Sequence, residues 1–224
     1  MRRLTLRWCL PLLGIVACST AHVRTAAPNR AALVDTADAF WKSLAPDVFR
    51  ARVETSKGNF VIEVDRAWAP HGADRFYNLI RAGYYDNSRF TRIVPKYIAQ
   101  FGIAGDSTLN AVWHAANIPD DISLRHNARG TFGFAATGPD ARTTQIYINL
   151  VDNARVDPQG LGPIGSVIEG MAVVDSLYSG YGETSGGGVR AGKQGPLWDG
   201  GNAYVDRMYP KLDRLIRISI IERT

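Results

Sequence analysis

Two polar side chains in one short segment could act together on an uncharged substrate. Arg92 and Gln100 stand eight residues apart, with a Pro-containing turn and apolar residues between them. Side chains alternate between the two faces of a strand, so an even spacing returns two residues to one face if the turn keeps the phase. Residues 90–102 therefore predict two hydrogen-bond donors above an apolar surface. The alternative interpretation is a half-buried sheet with ordinary surface polar groups.

Three sequence blocks, taken in order, resemble the cyclophilin family of peptidyl-prolyl isomerases. Residues 90–102 read Phe-x-Arg-Ile-x-Pro-x-Tyr-x-x-Gln-x-Gly. Residues 130–139 read Gly-Thr-Phe-Gly-Phe-Ala-Ala-Thr-Gly-Pro, and Thr-Gln-Ile-Tyr-Ile follows at 144–148. Residues 164–171 read Ile-Gly-Ser-Val-Ile-Glu-Gly-Met. The resemblance runs from about residue 49 to residue 220, and it is specific because all three blocks agree in order and spacing.

The elements around these blocks predict an all-β fold. A hairpin is expected at residues 52–65, one helix from Pro70 to Gly83, and a second helix at residues 171–178. Many short strands with two helices favour a closed antiparallel barrel. The resemblance implies its specific form, a closed eight-stranded barrel capped by a helix at each end. Further strands are predicted near residues 89–94, 98–103, 131–135, 145–149, 164–167 and 216–220.

The resemblance also implies a mechanism and the residues that carry it out. Amide resonance holds an X-Pro bond planar, with a barrier to rotation of about 18–20 kcal/mol. The twisted transition state frees a lone pair on the proline nitrogen, which a guanidinium can stabilise. Arg92 would donate to that nitrogen, and Gln100 would position the peptide backbone. The substrate-binding residues that the resemblance implies are Tyr97, Ile98, Ala135, Tyr147, Val156 and Leu161.

Several positions depart from the family's usual pattern. Tyr97 and Tyr147 replace Phe, and the added hydroxyls need partners or a wet rim. Ala136 stands where Asn is common, Arg155 where an aromatic overhangs the pocket, and Leu161 near the usual His. Two functions stay open: an isomerase that assists the folding of exported proteins, and a module that binds Pro-containing segments with little turnover.

No other chemistry is indicated by the sequence. The His residues lack ligand-like spacing, and no nucleophile motif is present. Residues 187–194 nearly spell a phosphate-binding loop, but Gln194 replaces the Ser or Thr, and Pro196 follows where a helix should begin. We therefore expect no metal, nucleotide or other cofactor, and we expect a flexible surface loop at residues 183–196.

The N-terminus predicts export. Three arginines within the first seven residues precede an apolar run, which is typical of a secretory signal peptide over residues 1–17. Its end, Ile-Val-Ala-Cys at residues 15–18, is similar to a bacterial lipobox and predicts lipidation of Cys18. The alternative is a plain signal peptide cut near Ala21. The chain has 2 cysteines, and Cys9 would leave with the signal, so the remaining thiol would have no disulfide partner within the chain.

The predicted domain organisation and partners follow from these features. Residues 18–45 form a lipid-anchored tether with a short helix at 31–44, and residues 46–224 form the isomerase domain. Three of the 26 basic side chains leave with the signal, so 23 remain against 21 acidic ones, and nothing points to nucleic acid. The expected partners are Pro-containing segments of unfolded or exported proteins, and a membrane reached through the lipid. We expect a monomer in a bacterial cell envelope, on the periplasmic face of an outer membrane if the source has one.

Overall fold

The computed structural model describes residues 28–122, 125–186 and 194–221. Its centre is an antiparallel sheet of nine short strands, which confirms the predicted all-β class. The strands are β1 (Val48–Thr55), β2 (Gly58–Asp65), β3 (Ser88–Arg89), β4 (Arg92–Val94), β5 (Ile98–Phe101), β6 (Thr131–Phe134), β7 (Ile146–Asn149), β8 (Pro163–Glu169) and β9 (Arg214–Ile221). Hydrogen-bonded neighbours follow the order β3-β9-β1-β2-β8-β6-β7-β5-β4.

Strands β1 and β2 form the predicted hairpin, because apolar residues alternate with polar ones along both. Val53 of β1 pairs with Phe60 of β2, and both side chains are buried. Ser56 and Lys57 connect the strands, and Gly58 follows with a φ of 123°, which a residue with a side chain rarely adopts. The turn and the buried face together fix the register of the hairpin.

The sheet is open, and the predicted closed eight-stranded barrel is wrong. Its end strands, β3 and β4, are not hydrogen-bonded to each other in the described part of the chain. The sequence predicts one strand at residues 89–94, but Phe90 and Thr91 interrupt it. The Phe90 N–H donates to the Asp213 carbonyl beside β9 (3.0 Å), whereas β4 pairs with β5. The chain therefore leaves β9 after β3 and pairs with β5 from β4 onward. The two halves of the predicted strand thus form the two opposite edge strands of the sheet. We call residues 88–94 the seam.

Four α-helices pack around the sheet in the described residues, instead of the two predicted caps: α1 (Pro70–Ala82), α2 (Ser107–Trp113), α3 (Met171–Asp175) and α4 (Gly195–Met208). Helix α1 confirms the first predicted helix, with Pro70 in its first turn and Gly83 in a left-handed conformation after its end. Helix α3 begins where predicted but ends at Asp175 rather than near residue 178. The sequence patterns do not predict α2 or α4. Of these helices, none has the length and apolar character to cross a membrane.

The predicted helix at residues 31–44 is wrong, because the chain forms two short 3-10 helices there, Arg30–Val34 and Ala39–Lys42. Two aspartates interrupt a regular helix. The Asp35 and Asp38 carboxylates each accept a hydrogen bond of 2.8 Å from the backbone N–H two residues later. Such local bonds compete with helical ones, so the segment breaks into two turns.

This N-terminal segment is nevertheless joined to the core. Leu33 is buried, and its carbonyl accepts a hydrogen bond of 2.8 Å from the Trp113 indole of α2. Structure that packs on the core thus begins upstream of β1. The predicted signal peptide at residues 1–17, Cys18 and the rest of the tether up to residue 27 lie outside the described residues.

Aromatic side chains fill the core beneath the seam. The ring of Phe76 in α1 lies 5.6 Å from that of Phe132 and 5.5 Å from that of Tyr85. Tyr85 in turn contacts Phe101 of β5 at 5.5 Å, and Phe101 contacts Phe90 of the seam at 5.4 Å. Each such pair adds about 0.5–1.5 kcal/mol beyond its buried area. The seam therefore rests on a rigid aromatic layer.

Candidate active site

Arg92 and Gln100 share one face of the sheet. The two residues are direct partners in the β4–β5 pair, and Arg92 Nη1 donates to Gln100 Oε1 at 3.0 Å. The turn between the strands keeps this phase, because Tyr97 N–H bonds the Val94 carbonyl (3.0 Å) and Lys96 adopts a left-handed φ of 58°. The spacing of eight residues brings the two side chains together, as the alternation of strand residues predicts.

The Arg92 guanidinium is buried and paired. Only 6% of the residue is exposed, and its Nη2 donates to Glu183 Oε1 at 2.8 Å. Its Nε is buried without a hydrogen-bond partner among the described residues. The guanidinium carbon lies 5.6 Å from the centre of the Tyr97 ring. A buried cation is costly unless it is paired, so Glu183 supplies a charge that this arrangement needs.

Three glutamines continue from Arg92 as a hydrogen-bonded chain of amides, which we call the amide relay (Gln100, Gln145 and Gln194). Gln100 Nε2 donates to Gln145 Oε1 at 2.8 Å, and Gln145 Nε2 donates to Gln194 Oε1 at 2.9 Å. Gln194 Nε2 donates back to Gln145 Oε1 at 3.2 Å and also donates to the Gly186 carbonyl at 3.1 Å. Because each amide has one acceptor side and one donor side, the relay fixes the Gln100 oxygen toward Arg92.

Tyr97 and Arg155 form the rim of the site. The Arg155 guanidinium carbon lies 4.5 Å from the centre of the Tyr97 ring, within the range of a cation–π contact. Arg155 is exposed, and Tyr97 is half-buried. An exposed cation therefore lies on the aromatic ring beside Arg92 and Gln100.

Tyr147 is buried, and its hydroxyl is hydrogen-bonded. The side chain sits on β7 opposite Gln100, and its hydroxyl lies 2.6 Å from Asn127 Oδ1 and 2.9 Å from the Leu161 carbonyl. Burial raises the pKa of the Tyr147 hydroxyl, with the nearby Asp157 carboxylate acting in the same direction. The hydroxyl is therefore a neutral hydrogen-bonding group, and the partners that this Tyr requires are present.

The other predicted pocket residues differ in burial and in their contacts with the residues described above. Ile98 and Val156 are buried, whereas Ala135 and Leu161 are half-buried. The Ala135 N–H bonds the Gln145 carbonyl at 2.9 Å, so Ala135 adjoins the amide relay rather than Arg92 itself. Leu161 contacts Tyr147 through its carbonyl. Val156 lies on the 3-10 helix Ala154–Gln159, and its N–H donates to the Asn153 carbonyl at 2.9 Å. The Asn153 side chain in turn donates to the Tyr97 carbonyl at 2.9 Å.

Three residues of this site are absent from the predicted set: Glu183, Gln145 and Gln194. Gln145 stands in the second family-like block and was available as a signal there. Glu183 and Gln194 belong to the predicted surface loop at residues 183–196, and that prediction is wrong in its described parts. Glu183 and Gly186 contact Arg92, and α4 begins at Gly195, while residues 187–193 lie outside the described residues.

Metal ligands are not gathered in the parts of the chain that the structure describes. Over residues 28–122, 125–186 and 194–221, no group of three or more His, Cys, Asp or Glu side chains is arranged to hold a metal ion. The chemistry that the described site can perform is donation of hydrogen bonds from Arg92 and Gln100 next to aromatic and apolar side chains.

Comparison of the sequence with known proteins identifies close similarity to isomerases. The family model described as cyclophilin type peptidyl-prolyl cis-trans isomerase/CLD matches residues 50–193. Peptidyl-prolyl cis-trans isomerase A of Dickeya dadantii is 33% identical over 129 residues, which cover 55% of this chain and 67% of that protein. The peptidyl-prolyl cis-trans isomerase of Acinetobacter baylyi is 33% identical over 132 residues, which cover 56% of this chain and 69% of that protein.

Solved structures share the fold. A cyclophilin type peptidyl-prolyl cis-trans isomerase of Cryptosporidium parvum matches with a TM-score of 0.55 at 19% identity, over 79% of this chain and 99% of that chain. Cyclophilin AquaCyp293 from Hirschia baltica matches with a TM-score of 0.56 at 14% identity, over 79% of this chain and 75% of that chain. The sequence match, the fold and the Arg92–Gln100 pair agree: the chain belongs to the cyclophilin-type peptidyl-prolyl cis-trans isomerase family, an enzyme family of class EC 5.2.1.8.

Proposed function

We propose that this chain accelerates cis–trans isomerisation of X-Pro bonds during the folding of exported proteins, with Arg92 and Gln100 as its catalytic residues. The observation that carries the proposal is the Arg92 guanidinium, which two side chains of the described residues hold through two of its nitrogens. A guanidinium has five N–H groups, and Arg92 uses one for Gln100 and one for Glu183. The other N–H groups form no hydrogen bond within the described residues, and because Nε is buried, a substrate would bind through Nη1 or Nη2.

The proposed reaction needs no covalent step. In the planar ground state, amide resonance draws the nitrogen lone pair away, and the nitrogen is a poor acceptor. In the twisted transition state this resonance is lost, so a guanidinium N–H of Arg92 binds the proline nitrogen more strongly than in the ground state. Such differential binding lowers the barrier. Ile98, Tyr147 and Val156 would hold the proline ring and exclude water.

The direct test is proline isomerisation measured with the full-length protein in a protease-coupled assay. Arg92→Ala should lower the rate by about 10²–10³-fold, as for loss of one preorganised donor. Arg92→Lys should recover little, because an ammonium lacks the planar fork that fixes donor direction. Thermal unfolding of each variant separates lost activity from lost fold. If the parent binds Pro-containing peptides without turnover, the alternative of a binding module replaces this proposal.

We also propose that the protein is exported and anchored by a lipid at Cys18, as a monomer on the envelope side of a bacterial membrane. The support is the sequence of residues 1–18, with its basic start, apolar run and lipobox-like end. Two or more acyl chains give stable anchoring, whereas one is marginal. Mass spectrometry of the purified N-terminus should find a diacylated cysteine. An unmodified N-terminus, or a Cys18→Ser protein that stays membrane-bound after export, would contradict the anchor.

A further inference from the structure

We infer that Glu183 is a positioning residue for Arg92, whose carboxylate fixes the orientation of the guanidinium for isomerisation. The inference rests on the proposed function, because it concerns the same reaction. A guanidinium is planar, so bonds to two of its nitrogens restrict both its place and its rotation. Arg92 is bound in this way, with Nη1 on Gln100 at 3.0 Å and Nη2 on Glu183 at 2.8 Å.

The segment that carries Glu183 is fastened to the seam by contacts of its own. Ser185 is buried, and its hydroxyl donates to the Thr91 carbonyl at 2.6 Å. A Cβ atom placed on Gly186 would lie 2.2 Å from the Arg92 Cβ, so the Gly186 backbone packs directly on the Arg92 side chain. The Gly186 carbonyl also ends the amide relay through Gln194. Residues 183–186 thus hold Arg92 from one side while the relay holds it from the other.

The burial and charge of the pair favour a role for Glu183 in positioning Arg92 over one in blocking its access to a substrate. The Arg92 side chain is 8% exposed, whereas the Glu183 side chain is 36% exposed and keeps contact with water. Glu183 therefore pairs with the buried cation from a position that is itself partly in water. Within the described residues, the pair leaves one N–H on each Nη without a hydrogen bond, so it does not use up the donors that a proline nitrogen would need.

Two variants of Glu183 and a matched control test this inference. Glu183→Ala should lower kcat about 10–100-fold, since a displacement near 1 Å at a reacting group costs about 10²-fold. The KM should change by no more than about twofold, because the pocket walls are untouched. Glu183→Gln should recover most of the rate, since its amide oxygen can accept the same bond. The control is Asp206→Ala, which removes the carboxylate bound to buried Arg89 at 2.8 Å outside the site. It should keep the parent kcat even if it lowers the unfolding temperature.

A double variant shows whether Glu183 acts through Arg92. In an Arg92→Ala background, Glu183→Ala should cause no further loss of kcat, because the group that it positions is gone. A faster Glu183→Ala enzyme would mean that the carboxylate blocks Arg92, and an unchanged kcat would mean that the pair is idle; either result overturns the inference. An equal further loss in the double variant would do the same. A parent without isomerase activity would instead mark the failure of the proposed function.

Discussion

Tyr147 links the pocket to the loops beneath it through one hydroxyl. Both of its acceptors are also bonded by other donors. Asn149 Nδ2 donates to Asn127 Oδ1 at 3.0 Å, and Asn127 Nδ2 donates to the Leu161 carbonyl at 2.8 Å. If the hydroxyl were lost, each acceptor would therefore still receive a hydrogen bond from another donor. The Tyr at this position is compatible with the usual Phe in shape, and its extra hydrogen bond is redundant.

Tyr147→Phe should accordingly lower the free energy of unfolding by only about 1 kcal/mol, the typical net value of one hydrogen bond. The isomerisation rate should equal that of the parent, because the ring that walls the pocket remains. Asn127→Ala is the comparison, since Asn127 also bonds Asp157 and Leu161. It should destabilise the protein more than Tyr147→Phe does. Denaturant unfolding of the three proteins measures the difference, and a reversed order would contradict this account.

The structural elements differ in how far the sequence predicts them. The β4–β5 pair could be predicted together with the contact between Arg92 and Gln100, because a hairpin obeys a local period and the contact spans eight residues. The contact between Arg92 and Glu183 could not be predicted, since Glu183 lies 91 residues away in the sequence and reaches Arg92 only through the fold. Local chemistry also overturned a periodic pattern, where Asp35 and Asp38 split the expected N-terminal helix. Helix α2 is short, and its start depends on one cap rather than on a long apolar stripe.

That cap is Asp106, and it gives a prediction about pH. Its carboxylate accepts from the Thr108 hydroxyl at 2.8 Å and from the Thr108 N–H at 2.9 Å, and these bonds lower the pKa of Asp106. Asp106→Ala should lower the free energy of unfolding by about 1 kcal/mol at pH 7. A depressed carboxyl pKa stabilises the folded state above the unfolded value of about 3.9 and loses that effect as the pH falls through the folded value.

The difference between the parent and Asp106→Ala should thus be full at neutral pH and shrink below about pH 4. Asp106→Asn is the control, because Asn caps a helix about as well as Asp but does not titrate in this range. Its stability should stay close to that of the parent at pH 7. Thermal unfolding across pH 3–7 measures all three proteins. A difference between the parent and Asp106→Ala that grows toward acid would have the wrong sign for this explanation.

At the scale of the whole molecule, the N-terminal segment is part of the core. Leu33 is 2% exposed and lies within the main apolar cluster, whereas Leu44 in the same segment is 68% exposed. The Leu33 carbonyl also receives the Trp113 indole bond, and the Trp41 ring lies 4.5 Å from that of Trp113. The described part of the N-terminal segment is thus packed on the domain.

Leu33→Ala should lower the free energy of unfolding by about 2–5 kcal/mol, the range for truncating a buried leucine. Leu44→Ala is the matched control, since it makes the same chemical change in the same segment at an exposed site. It should shift stability by less than about 0.5 kcal/mol. Both variants should isomerise proline as the parent does while folded. Equal stabilities would mean that the segment does not contribute to the core.

Strand β9 lies between β1 and β3, and this has a consequence for synthesis of the chain. Arg50 pairs with Ile221, and Ser88 pairs with Leu215, so one strand completes contacts to two early parts of the sequence. A nascent chain that has not yet reached residue 221 leaves one side of β1 without its full partner. Such distant pairings slow folding, because a long loop must close before they form. Until residue 221 has been made, the sheet therefore lacks the strand that joins β1 to β3, and its completion depends on contacts between distant parts of the sequence.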